Sequence, residues 1–239
     1  MAITTTKSAY FKGVADALPF VLVIMPFAAL FGILANEAGL SVIETLAFSV
    51  MVIAGAAQFT ALQLMQEHAP TLIVLASALA VNLRMAMYSA SLTPYIGAAP
   101  LWQRALAAYL TVDQAYICAI AQYEKAPQMS VPQRMAYFFG AATPVAPLWY
   151  GFTLIGALLG TKVPESWALD FALPITFLAM IAPMFRTLAH VVAALVAVLV
   201  SLLAVSVPYS LGLILAGIAG MVAGAQTELW LERWREAKA

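Results

Sequence analysis

The sequence predicts an all-α integral membrane protein of about eight transmembrane helices, and three observations carry that prediction. Of the 239 residues, 64% are apolar and 9% are charged, whereas a soluble domain carries about 25% charged residues. The mean hydropathy is +0.94. The apolar residues also fall into windows with few or no charges, each near the length of about 20 residues that a helix needs to cross the hydrocarbon. So little charge cannot cover a water-facing surface, so lipid must take its place. The apolar content excludes a disordered chain and the single Cys118 excludes a disulfide scaffold. A formal net charge of zero gives no basic footprint for nucleic acid.

The first window, Ala17 to Asn36, follows Lys7 and Lys12. It is too long for a secretory h-region and leads into further apolar segments, so it reads as a span and not as a leader. Thr45 to Gln66 is the second window. Pro70 to Pro94 and Arg104 to Gln122 are the third and fourth, with Arg84 and Asp113 in their interiors. Met135 to Thr161 is the fifth, and Ala168 to Phe185, with Asp170 near its start, is the sixth. Thr187 to Thr227 lacks Asp, Glu, Lys and Arg and is divided by Ser206, Val207 and Pro208, so it reads as two spans joined by a tight turn. Residues 1–239 are thus expected to form a single polytopic membrane domain.

Lys and Arg set the orientation, because cytoplasmic loops carry the excess. With the N-terminus inside, Lys7, Lys12, Lys125, Arg134, Arg186, Arg233, Arg235 and Lys238 are cytoplasmic, and only Arg104 and Lys162 are outside. The bias puts both termini in the cytoplasm. Trp230 and Trp234 lie four apart among charges near the C-terminus, which suits the headgroup region.

Phe31-Gly-Ile-Leu leads through a turn and Glu44 into a helix ending at Gln58-Phe59, and Ile155-Gly-Ala-Leu leads through a turn and Asp170 toward Pro183-Met-Phe185. This is a weak internal echo of the duplicated halves used by transporters. Gly156 and Gly160, and the series Gly212, Ala216, Gly220 and Gly224, place small residues on one helix face, where backbones can approach closely. Pro19, Pro26, Pro144, Pro147, Pro174 and Pro183 are candidate interruptions of the spans.

The polar residues inside the spans carry the functional information. An ionised side chain at the bilayer centre costs about 2.5 to 3.5 kcal/mol even on the insertion scale, so Arg84 and Asp113 need a partner or an interior cavity. Ser77, Arg84, Tyr88 and Ser91 share one helical face, with Asn82 roughly opposite. Tyr109 and Tyr116 lie on the face of Asp113. Gln58 follows the small-residue run Ala54-Gly-Ala-Ala, a pattern that can break a helix and open its backbone to a ligand. Such side chains can receive a polar or charged cargo within the membrane. Arg84 offers bidentate donors and Asp113 an acceptor, and Gln58, Asn82 and Tyr88 can complete the hydrogen bonds.

Other chemistries lack their residues. There are only two histidines, His68 and His190, and no His-Glu-x-x-His pair, Gly-x-Ser-x-Gly elbow or Gly-x-x-x-x-Gly-Lys loop. An enzyme, a metal site and direct use of ATP are therefore not expected, nor is a cofactor. A channel, or a scaffold subunit with no transport cycle of its own, is the alternative to a carrier.

Taken together, Gly13-Val-Ala-Asp16-Ala-Leu-Pro19, Ala54-Gly-Ala-Ala-Gln58-Phe59, Asn82-Leu-Arg84 with Tyr88-Ser-Ala-Ser-Leu92, and Asp113 after Leu110-Thr-Val resemble the azaleucine-resistance (AzlC-type) branched-chain amino acid exporters. The likeness runs from about Gly13 to Gly224. Two positions depart from the family pattern: Met85 stands where a His often follows the Arg, and Gln114 where a Glu often follows the Asp. Both remove a titratable group. The resemblance implies export of valine, leucine, isoleucine and, as a further candidate, methionine, across the bacterial inner membrane, and without a phosphate loop secondary transport is expected. The zwitterion of such a substrate needs a cation for its carboxylate and an acceptor for its ammonium, which Arg84 and Asp113 can supply. The resemblance also implies a small, separately encoded AzlD-type membrane partner.

Overall fold

The computed structural model describes residues 5–160, 185, 187–207 and 211–236. Among these the regular structure is helical throughout, with no strand. The surface is apolar: Leu22, Ile43, Met51 and Leu203 are about four-fifths exposed, whereas Thr45, Ser49, Gln58 and Thr153 have no exposure at all. A soluble protein would reverse this arrangement, and lipid is the solvent that favours it.

The described parts of Met1–Leu62 and Val81–Trp167 form one compact unit. Its first helix, α1 (Thr6–Glu37), starts at a capping box in which Thr5 and Ser8 satisfy each other's backbone N–H. It ends at Gly39, whose φ of 91° needs no Cβ penalty to be adopted. There the Leu40 N–H reaches the Ala35 carbonyl and the Gly39 N–H that of Asn36, the bonding of a Schellman stop. Pro19 and Pro26 lie inside α1 without ending it. They remove the donors that would otherwise reach the Ala15 and Leu22 carbonyls.

The second window is two helices, α2 (Val42–Met51) and α3 (Gly55–Gln66), separated at Val52, Ile53 and Ala54. The small-residue run therefore marks a real interruption. Ser41 and Glu44 form the capping box that starts α2. The third window is one helix, α4 (Thr71–Ile96). The fourth is again interrupted, into α5 (Leu101–Tyr109) and α6 (Asp113–Lys125), with Val112 extended at the junction. The fifth is α7 (Val131–Ala142) and α8 (Ala146–Leu159), bent at Thr143, Pro144 and Val145, with Pro147 in the first turn of α8.

Helix α1 packs along α7 and α8, and the glycines show how. A Cβ on Gly13 would strike the Tyr137 carbonyl, and one on Gly140 the Tyr10 carbonyl. Further along, Gly32 lies on the Thr153 carbonyl and Gly156 on that of Ala29. Each glycine therefore meets the carbonyl three residues before its partner glycine, and both helices advance in the same direction through the two contacts. The pairing is parallel and reciprocal. Gly32 and Gly156 are the glycines of the two echoed segments, so the echo corresponds to a symmetric crossing. The continuation of the second copy, including Asp170, Pro174 and Pro183, lies outside the described residues, as does the sixth window except Phe185.

The second compact unit comprises the described parts of Gln63–Ala80 and Ala168–Ala239. Here α9 (Leu188–Leu203), capped by Thr187, and α10 (Leu211–Glu236) pack as a hairpin. Gly220 meets Ala193 and Ala197, and Gly224 meets Ala189 and Ala193, so the helices are antiparallel. Ala216 of the same series is buried. These are the two apolar helices expected there, with the small residues serving packing; Ile214–Arg235 is long and apolar enough to cross a membrane, and Leu188–Leu203 is shorter. Trp230 and Trp234 are exposed in the C-terminal half of α10, near Arg233 and Arg235 of its last turn.

A candidate substrate site at two helix breaks

Asp113 is the first residue of α6, immediately after the break. A helix N-terminus favours a carboxylate by about 0.3 to 1 kcal/mol, so the interruption places the negative charge where the backbone stabilises it. Arg84 of α4 meets it, with Nη1 3.1 Å from Oδ2. Tyr88, one turn further along α4, donates its hydroxyl to Oδ1 at 3.0 Å. The two carboxylate oxygens are thus held by different donors from one face of α4. Tyr88 also stacks on Tyr116 of α6, with ring centroids 4.1 Å apart and planes 9° apart. Ser91 reaches the Tyr116 hydroxyl at 3.1 Å and completes the seam.

The pair is not saturated. Arg84 uses one terminal nitrogen on Asp113, and its Nε is buried without a hydrogen-bond partner. The side chains are 32% and 17% exposed respectively, so the charges are partly accessible. A guanidinium with unspent donors beside a carboxylate can exchange its partner for the carboxylate of a ligand, which would free Asp113 to accept from an ammonium.

Gln58 lies on the first turn of α3, fully buried. Its Nε2 donates to Ser49 Oγ at 2.9 Å, and Ser49 lies 3.2 Å from Thr153 Oγ1 of α8. Its Oε1 has no partner. Gln58 therefore belongs to the α2–α3 break and makes no hydrogen bond to Arg84, Tyr88 or Asp113. Asn82 is likewise not drawn into the pair, and its Oδ1 is buried and unpartnered.

Tyr109 links the two breaks, a role the sequence does not reveal. As the last residue of α5 it donates to the Val50 carbonyl at the end of α2, at 2.6 Å, and its hydroxyl is 2.7 Å from that of Tyr150. An unsatisfied carbonyl in hydrocarbon is costly, so this bond caps one half-helix with a residue from another. Tyr109→Phe is expected to destabilise the fold by about 1 to 3 kcal/mol, read as a lower thermal unfolding midpoint in detergent. Tyr150→Phe keeps the carbonyl bond and is expected to cost less.

A second polar cluster lies elsewhere in the same unit. Lys12 Nζ is 2.8 Å from both carboxylate oxygens of Asp16, and Tyr137 donates to Asp16 at 2.6 Å. Cys118 is buried and contacts the Asp16 carbonyl through its sulfur at 3.6 Å, which fits packing.

A family model for "AzlC protein" matches residues 19–163, more than half of the chain. The chain is 27% identical over 186 residues to the inner membrane protein YgaZ of Escherichia coli, covering 75% of each sequence. It is also 27% identical over 183 residues to an uncharacterized membrane protein of Archaeoglobus fulgidus, covering 74% of this chain and 77% of that one. No solved structure matches. The matched stretch contains both helix breaks and the Arg84–Asp113 pair, and this membrane protein belongs to the AzlC family.

Proposed function

We propose that the protein is a secondary transporter that exports branched-chain and similar hydrophobic amino acids: valine, leucine, isoleucine and methionine. The observation that carries this reading is the Arg84–Asp113 ion pair at a helix break, with its incomplete set of hydrogen bonds. The association of the AzlC family with branched-chain amino acid export supports it. The substrate carboxylate displaces Asp113 from Arg84, the ammonium is received by Asp113, and Tyr88 follows whichever oxygen is free. Protonation of Asp113 then weakens its hold on the ammonium and promotes release, which couples transport to an ion gradient. Selectivity among branched side chains is loose, because one methylene discriminates by only about 1 to 3 kcal/mol.

In this reading the chain lies in a bacterial inner membrane with both termini in the cytoplasm, as its distribution of Lys and Arg favours. It works with a small AzlD-type subunit and catalyses no chemical reaction. The test is counterflow: liposomes carrying the purified chain with that subunit, loaded with leucine, should accumulate labelled leucine saturably. Valine, isoleucine and methionine should compete and glutamate should not. Conductance without saturable exchange would favour a channel, and no flux of either kind a scaffold.

A further inference from the structure

The α2–α3 break gathers oxygen atoms that the zwitterion reading does not use. Thr45 and Ser49 stand one turn apart on one face of α2, Thr153 comes from α8, and Gln58 from the first turn of α3. All four are fully buried. Ser49 Oγ joins Gln58 and Thr153 in one chain of contacts at 2.9 and 3.2 Å. Two members remain unsatisfied, Gln58 Oε1 and Thr45 Oγ1. Leaving a buried acceptor without a partner is unfavourable, so the cluster is built for something that supplies positive charge or protons.

We propose that this break binds a monovalent alkali cation, with sodium as the species to test, among the oxygens of Ser49, Gln58 and Thr153, with the unpartnered Thr45 hydroxyl one turn before Ser49 on α2. The last turn of α2 contains Ser49 and ends at Met51, and the C-terminal end of a helix carries a partial negative charge. Carbonyl ends of interrupted helices serve as sodium sites in transporters. None of the four side chains is ionised. Neutral oxygens suit a single charge, whereas divalent cations are usually held with carboxylates.

The surroundings are aromatic. Phe59, next to Gln58, packs on Phe27 and Phe31 at 4.9 and 5.4 Å, and Phe48, next to Ser49, packs on Phe31 at 5.7 Å. These rings exclude water, and aromatic faces attract cations. The cluster carries no His, Cys or acidic spacing in the sequence, because its donors are neutral and come from three separate helices. The inference rests on the transport reading only to give the ion its role, that of a second coupling species beside the proton taken up by Asp113. Binding itself is measured without substrate.

The experiment is a titration of the purified full-length protein in detergent with sodium, at ionic strength held constant with choline. It reads labelled-sodium binding and the thermal unfolding midpoint. The expected result is saturable binding with a matching rise in midpoint. Ser49→Ala and Thr153→Val should each weaken binding at least about tenfold. Gln58→Glu, which adds a carboxylate, should strengthen it, and this gain survives as a test if the other variants fold poorly. Equal midpoints in sodium and choline, with no saturable binding, would overturn the proposal and assign the cluster to a buried water. Sodium binding unchanged by all three substitutions would overturn it as well. Sodium binding without amino acid counterflow would keep the cation site and remove the carrier reading; sodium-independent counterflow with no binding would do the reverse.

Discussion

Arg84→Ala is expected to lower leucine counterflow by about 100-fold, or about 2.7 kcal/mol, within the range of about 2 to 5 kcal/mol usual when one partner of a hydrogen-bonded charge pair is removed. The substitution removes the donor for the substrate carboxylate and also leaves Asp113 with only Tyr88 and the α6 N-terminus to hold it. Arg84→Lys keeps the charge but loses the planar fork, so it should retain only part of the activity. The Arg84→Ala, Asp113→Ala double variant removes both charges and should recover folded yield without recovering transport. That combination separates a role in transport from a role in packing. Initial counterflow rates and monodisperse yield are the two readouts.

The second large effect concerns the crossing of α1 with α8. Gly156→Val places a Cβ against the Ala29 carbonyl, and Gly32→Val places one against that of Thr153. Backbone cannot step aside as the end of a flexible side chain can. Overpacking costs typically about 1 to 3 kcal/mol, and a collision with a helix backbone belongs at the upper end of that range or above it. Both variants should lose most of their folded protein in detergent. Gly151→Ala meets nothing within 4 Å and should be neutral or slightly stabilising, since Ala is about 1 kcal/mol the better helix former. Thermal unfolding of the three side by side checks this.

The membrane class is legible in the sequence because the cost of charge in hydrocarbon leaves long apolar windows, but against the eight expected spans, four helices among the described residues are long and apolar enough to cross a membrane. The α2–α3 break is legible as well, since Ala54-Gly-Ala-Ala is a run of small residues with weak packing demands. The α5–α6 break is not. Leu110, Thr111 and Val112 contain neither Gly nor Pro, and the sequence offers only Asp113, whose charge reads equally well inside a continuous helix. Conversely, Pro19 and Pro26 suggest interruptions that α1 does not show.

At the site, the shared face of Arg84, Tyr88 and Ser91 follows from helical periodicity alone, and the structure sets all three against α6. Gln58 and Asn82 cannot be placed in this way, because their partners depend on how helices pack. Gln58 donates to Ser49, 9 residues away in sequence, and Ser49 in turn meets Thr153, 104 residues from it. Tyr109, which joins the two breaks, lies on the Asp113 face in a helical reading, but its bond to Val50 spans 59 residues and carries no local signal.

In the proposed cycle a zwitterion is exchanged between Arg84 and Asp113. The most direct test is counterflow by Asp113→Asn, compared with the unmodified protein in liposomes across a range of pH. The groups that face this carboxylate are Arg84 and Tyr88, with Tyr116 behind Tyr88, so the substitution removes the one acidic group of the pair. The expected result is a strong loss of leucine exchange, with the residual rate no longer varying with pH. Exchange at the unmodified rate, with the unmodified dependence on pH, would contradict the account.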